Sequence, residues 1–359
     1  MKCKKIYLDI GREKVIGTGM AVYTKAIHDG LNKANANICF IEVPITDNTG
    51  LLAKINGYFC EQIILPLKMF INNGICHRTA NLGVPFLCLG RYIVTIHDII
   101  PLIFPKQYLP NKIRRIWFTV RQIWTAKMAK IIIADSMATK NDLVNRLNIN
   151  ENKIKVIYIG IDSIYKPSND LQIQLMKEKY NIITPYILGM GGTEFRKNAN
   201  GLIDAFKSLK EKYGIPHKLV IIGKQWNNKD FSNDKDIIFT GFADTEDLPH
   251  LYSEADVFVF PSLYEGFGMP ILEAQACGTP VVTSNVSSMP EVAGDSASLV
   301  NPNDVNDIAN GIYSILSNEK LKEDLIRKGF DNIKRFSWEK SVQELIRIYE
   351  GCMDEERTN

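Results

Sequence analysis

Cysteine is scarce and unpatterned in this chain. Seven are spread over 359 residues, at positions 3, 39, 60, 76, 88, 277 and 352, with no Cys-x-x-Cys pair and no metal-ligand spacing. An odd, scattered set excludes a disulfide scaffold and reads as reduced thiols in a cytoplasmic protein. Long apolar runs are also missing. No stretch reaches the roughly 18–20 uninterrupted apolar residues of a membrane span. The most apolar region, 83–104, is broken by Arg91, His97 and Asp98. The opening MKCKKIYLDI passes from a basic tip into a strand without the apolar core or cleavage site of a signal peptide, so none is expected. Internal repeats and low-complexity segments are absent.

The net charge is small, +3, but it hides an uneven distribution. Residues 1–160 hold 22 Lys and Arg against 10 Asp and Glu, whereas residues 161–359 hold 21 against 30. Such a split points to two domains with different partners, the basic one facing an anionic surface or substrate. A chain of this length also suits two cores better than one.

Both halves alternate apolar, β-branched runs with helical stretches. In the first half the runs are 5–10, 38–43, 92–98, 130–135 and 153–160; in the second they are 185–191, 218–224, 236–241, 256–262, 279–284 and 297–300. Strands apolar on both faces and separated by helices imply parallel sheets covered by helices. The reading is α/β: two doubly wound, Rossmann-like domains facing a central cleft, joined near GIDSIYKPSND (160–170). We expect an N-terminal domain over 1–165, a C-terminal domain over 166–340, and a last helix over 341–359 packing back on the N-terminal domain. Ligands of such sheets bind beyond the carboxyl ends of the strands.

The segment VFVFPSLYEGFGMPILEAQACGTPVV (257–282) concentrates the chemistry. A buried-type strand ends at Pro261-Ser262, and a loop holding Glu265, Gly266, Phe267 and Gly268 leads into a helix opened by Pro270 and closed by Gly278. Glycines let backbone N–H groups approach a ligand, and the helix start favours a phosphate or sugar hydroxyl. Glu265 at the loop mouth can accept hydrogen bonds from a polyol or stabilise a developing positive charge. Glu273, read as lying in the first helical turn, can take both hydroxyls of a ribose. Taken singly, either glutamate is more simply a solvated loop residue or a helix-start carboxylate.

This segment resembles the E-x7-E signature of retaining, GT-B-fold glycosyltransferases of family 4. ADSMATKNDLVNRLNINENKIKVIYIGID (134–162), YILGMGGTEFRKNANGLIDAF (186–206), FTGFADTEDLPHLYSEADVFVFPS (239–262) and SSMPEVAGDSASLVNPND (287–304) are similar to further elements of that family. The resemblance implies that Glu265 contacts the donor sugar near the reacting centre and that Glu273 binds the nucleotide ribose. It also implies that the backbone of Gly266, Phe267 and Gly268 holds sugar hydroxyls and diphosphate, and that Lys197 binds phosphate. Where many members carry an arginine this chain has Gly192, and Arg196 is the candidate replacement. In VTIHDIIPLIFP, His97 looks like the family histidine that touches the donor sugar, in orientation or proton handling. Gly17 and Gly19 resemble the family's glycine-rich loop under the diphosphate, with Ala21 where a further glycine is common. That loop is not a dinucleotide fingerprint, because Val22 stands where the third glycine belongs.

PNKIRRIWFTVRQIWTAKMAK (110–130) holds six basic residues and no acidic one, with Ile113, Ile116, Trp117, Val120 and Trp124 at helical spacing. Two readings stand: a core-facing helix with a solvated basic face, or a helix lying on an anionic bilayer. The basic balance of the first half favours the second. No reader motif supports nucleic-acid binding. The sequence therefore predicts a retaining hexosyltransferase, with mannose from GDP-mannose as the expected donor and a glycan or lipid-linked oligosaccharide of a bacterial surface polysaccharide as acceptor. It is expected on the inner face of the cell membrane, with no cofactor and no metal, since no DxD-like metal site is apparent. A sugar-nucleotide-binding protein without turnover and a GT-B-fold sugar-nucleotide epimerase are the alternatives. A nicotinamide dehydrogenase shares the sheets but would need the missing fingerprint.

Overall fold

A computed structural model describes residues 5–14, 19–36, 38–42, 58–81, 84–85, 91–183, 185–192, 194–224 and 234–354. The chain divides into two compact units. Unit 1 comprises Met1–Gly160 with Ser337–Asn359, and unit 2 comprises Ile161–Phe336.

Unit 1 contains β1 (Ile6–Asp9), β2 (Ile38–Ile41), β3 (Ile75–Arg78), β4 (Tyr92–Ile96), β5 (Ile131–Ala134) and β6 (Ile154–Val156), in the sheet order β2-β1-β3-β4-β5-β6. Every pairing is parallel, for example Ile6 opposite Ile75 and Val94 opposite Ile132. Parallel strands need crossovers, and the helices Gly19–Lys33, Leu65–Ile71, Lys112–Met128 and Met137–Leu147 lie in those after β1, β2, β4 and β5. β3 is the strand the sequence does not announce. Its residues ICHR include a histidine and an arginine, yet all four are buried. The charge and the ring are compensated: Arg78 Nε lies 2.8 Å from Asp9, and His77 sits between Thr95 Oγ1 (2.9 Å) and the Tyr349 hydroxyl (2.6 Å).

Tyr349 belongs to the last helix, Trp338–Asp354, which is part of unit 1. Ser341 Oγ of that helix donates to the Tyr158 carbonyl at 2.6 Å. At Gly160 the chain passes so close to Trp338 that a Cβ would lie 2.2 Å from its backbone nitrogen. Glycine is required there by space.

Unit 2 contains β7 (Tyr186–Met190), β8 (Lys218–Ile222), β9 (Ile237–Phe239), β10 (Val257–Phe260), β11 (Val281–Ser284) and β12 (Ala297–Val300), again all parallel, in the order β12-β11-β10-β7-β8-β9. All six are apolar runs picked out by the sequence. Val257 and Val259 point into a core with Leu202, Phe206 and Ile312 from the covering helices Ala199–Tyr213 and Val305–Leu316. The sheet order turns back between β7 and β10, so the loops after these two central strands lie side by side at the carboxyl edge.

Candidate active site

After β7 the backbone turns through Gly192, whose φ of +121° suits glycine, into a short 3-10 turn, Phe195–Lys197. After β10 it runs through Pro261 and Ser262 into the 263–268 loop. The two loops are joined directly, since Leu263 N–H donates to the Arg196 carbonyl at 2.7 Å. Side chains complete the junction. Arg196 forms an ion pair with Glu265 through one terminal nitrogen and with Glu194 through the other, at 2.5 Å. Ser262 Oγ donates to Glu265 at 3.0 Å.

Glu265 is thus no solvated loop residue, being only 8% exposed. Burial raises its pKa above the ordinary glutamate value, and Arg196, Lys197 and the Ser262 hydrogen bond only partly offset this. Its backbone is fixed as well. Ser287 Oγ (2.5 Å) and Ser288 Oγ (3.0 Å) donate to its carbonyl, and Ser288 also donates to the Phe267 carbonyl at 2.6 Å. Gly266 and Phe267 are buried, with the Phe267 ring set edge-on to Phe336 at 5.7 Å. Gly268 takes φ +106° at the entry to the helix Met269–Ala276, which has Pro270 in its first turn.

Glu273 lies one turn further along this helix than the sequence suggests, in its second turn, because the helix begins at Met269. Its role therefore does not come from the helix start. The Tyr252 hydroxyl donates to it at 3.0 Å, and the Tyr165 hydroxyl also binds it. Burial pushes its pKa up to about 7 against the pull of both hydroxyls and of Lys197. Lys197 is near enough to favour the charged form of both Glu265 and Glu273, which places Arg196, Lys197, Glu265 and Glu273 in one electrostatic group.

In unit 1, His97 follows β4 at the carboxyl edge of its own sheet. Its backbone N–H donates to Asn81 Oδ1 at 2.7 Å, and its carbonyl accepts from Thr139 Oγ1 at 3.0 Å. The ring contacts Asp135 through Nδ1 and the Thr79 carbonyl through Nε2 at 3.0 Å. The Tyr23 ring stands edge-on to it at 4.9 Å. Burial by itself would lower the His97 pKa, but Asp135 and the Thr79 carbonyl raise it above the ordinary histidine value. Gly19 opens the helix Gly19–Lys33, while Gly17 lies outside the described residues.

Sequence reading missed Asp135, Glu194, Tyr165, Tyr252 and Ser262. Asp135 and Ser262 stand at strand ends, the one signal that marks them. The two tyrosines carry none, because only packing brings them to Glu273.

The helix Lys112–Met128 is capped by Asn111, whose side chain accepts from Ile113 N–H at 2.9 Å and Arg114 N–H at 3.1 Å. It does not bury the apolar face that its spacing defines. Gln122, Thr125 and Ala126 are buried, while Ile113 (78% exposed), Ile116, Trp117 and Val120 face outward. Leu109, Ile113, Arg114, Trp117 and Phe118 line an apolar cavity of about 320 Å³. The core-facing reading of these four residues is therefore corrected. Among the described residues, no helix is long and apolar enough to cross a membrane.

Residues 172–332 match the family described as Glycosyl transferases group 1, and residues 77–163 match Glycosyltransferase Family 4. O-antigen chain mannosyltransferase B of Escherichia coli is 32% identical over 73% of this chain and 70% of its own length. O-antigen chain mannosyltransferase RfbU of Salmonella typhimurium is 28% identical over 82% of each. The serotype-specific mannosyltransferase WbdA of Escherichia coli is 31% identical over 69% of this chain, which spans 32% of that longer protein. Among solved structures, sucrose-phosphate synthase from Thermosynechococcus elongatus superposes with a TM-score of 0.73 at 17% identity, over 97% of this chain and 98% of its own. The glycosyltransferase WaaG superposes with a TM-score of 0.71 at 14% identity, over 96% and 99%. The chain belongs to glycosyltransferase family 4, and its fold is GT-B. It is a glycosyltransferase.

Proposed function

We propose that this glycosyltransferase moves mannose from GDP-mannose, with retention of configuration, onto a glycan or lipid-linked oligosaccharide during bacterial surface-polysaccharide assembly. The observation that carries the donor site is the buried Glu265, held against Arg196 with Lys197 and Glu273 in the same electrostatic group. A carboxylate beside the anomeric carbon offsets the positive charge that grows there as the glycosidic bond to the diphosphate stretches. Arg196 and Lys197 neutralise the departing diphosphate, so the reaction needs no resident metal. Glu273 accepts both ribose hydroxyls, and the backbone of Gly266, Phe267 and Gly268 holds sugar hydroxyls and phosphate. Unit 1 takes the acceptor, and His97, Gly17 and Gly19 are its candidate residues. The mannose assignment rests on the two O-antigen mannosyltransferases among the relatives.

A panel of nucleotide sugars, with nucleotide release followed with and without acceptor, tests this reading. GDP-mannose should give acceptor-dependent release, and turnover with UDP-sugars alone would overturn the donor assignment. Release without acceptor dependence would overturn transfer.

The outward apolar residues of the helix Lys112–Met128, beside Lys112 and Arg114, support a peripheral position on the anionic inner face of the membrane. Vesicles containing about a third anionic lipid should retain the protein, and the combined Ile113→Ser, Trp117→Ser and Arg114→Ser variant should be released at least about tenfold more readily. Equal retention would sink the membrane placement.

A further inference from the structure

Both ring nitrogens of His97 face groups that accept hydrogen bonds. Nε2 lies 3.0 Å from the Thr79 carbonyl, an oxygen with no proton to give, so Nε2 carries hydrogen. Nδ1 meets the Asp135 carboxyl group, which is 1% exposed. The second Asp135 oxygen has no hydrogen-bond partner among the described residues. A buried carboxylate with a single partner is compensated only if that partner is a cation. Histidine is intrinsically the stronger base of the two, so the shared proton belongs to Nδ1. The remaining neighbours agree. Asp98 adds a second negative charge on the same turn, and the uncharged Tyr23 phenol packs edge-on. Beneath them His77, whose pKa burial and the His97 charge lower to about 3, stays neutral between Thr95 and Tyr349.

We infer that Asp135 is a positioning residue that keeps a proton on each ring nitrogen of His97, so that His97 meets the substrate as a hydrogen-bond donor and not as a base. Its Nε2–H can pass from the Thr79 carbonyl to a ligand oxygen without any change of protonation, since both are acceptors. The inference rests on the place given to His97 in the reaction above, but the charge state can be measured without turnover.

Nitrogen-15 NMR of the histidine ring in the full-length protein should show His97 doubly protonated from pH 6 to 8, and a neutral ring at pH 7 would overturn the inference. In Asp135→Asn the ring should titrate at least about one pH unit lower, because the opposite charge is gone. At saturating donor, transfer by that variant should fall about tenfold between pH 6 and pH 8, while the wild-type kcat profile stays flat there. Asp135→Glu should restore much of the flat profile, a rescue that a purely structural loss would not show. An Asp135→Asn profile that parallels the wild type would overturn the positioning role. Undiminished transfer by His97→Ala, with the wild-type ring still doubly protonated, would instead remove His97 from the proposed reaction and leave its charge state standing.

Discussion

A carboxyl group taken out of water releases its proton less readily, and burial pushes the Glu273 pKa up to about 7 although two phenol hydroxyls pull it the other way. Two consequences have opposite signs. The ribose contact needs the charged form, so donor affinity should rise with pH through 7, weakening up to about tenfold at pH 6; isothermal titration with GDP at pH 6 and 8 measures it. Stability moves the other way. The folded-state value lies above the ordinary 4.5, so the unliganded fold is favoured below about 4.5 and loses that advantage as pH rises through 7. Glu273→Gln should therefore stabilise the unliganded protein by about 1–3 kcal/mol at pH 8 and by much less at pH 5, in denaturant melts, while weakening donor binding. Glu265→Gln keeps the shape but removes the charge paired with Arg196. Transfer should drop about 10²–10³-fold with donor binding largely retained, and an unchanged kcat would remove Glu265 from the reacting centre. None of these acidities is legible in the sequence, because Tyr165, Tyr252 and Arg196 reach the glutamates only through folding.

The decisive element is the loop between β10 and the helix Met269–Ala276. Its positions were readable: an apolar strand, Pro270 at the helix start and Gly278 after its end all fall where the sequence puts them. Gly268 is the residue whose replacement tests the loop. An alanine there would adopt φ +106°, a region costly for any residue with a Cβ, and would press on Ile271 Cδ1 at 3.3 Å. Gly268→Ala should cost about 1–3 kcal/mol in thermal or denaturant unfolding. It should also weaken nucleotide-sugar binding, since the backbone beside Phe267 must shift. The helix Lys112–Met128 teaches the opposite lesson. Its periodicity was plain, yet periodicity does not say which face turns inward, and here the small and polar Gln122, Thr125 and Ala126 do. β3 escaped for a related reason, because a histidine and an arginine suggest exposure unless their buried partners are known.

For the whole molecule, GDP, UDP and dTDP can be ranked by thermal shift. The preferred nucleotide at about 100 times its Kd should stabilise the protein by about 2.7 kcal/mol, and GDP is expected to lead. Transfer should persist in excess EDTA, because Arg196 and Lys197 are proposed to supply the charge on the diphosphate; its loss, restored by a divalent cation, would overturn that. The two parallel α/β sheets, eleven of the twelve described strands and the family are legible in the sequence, because apolar strand runs and short loop motifs are local patterns. Folding alone buries Glu265 on Arg196, clamps Glu273 between two tyrosines and sets Asp135 against His97. Their partners lie tens of residues apart in sequence. The chain order of a parallel sheet, not the spacing of residues along it, sets which strand ends become neighbours.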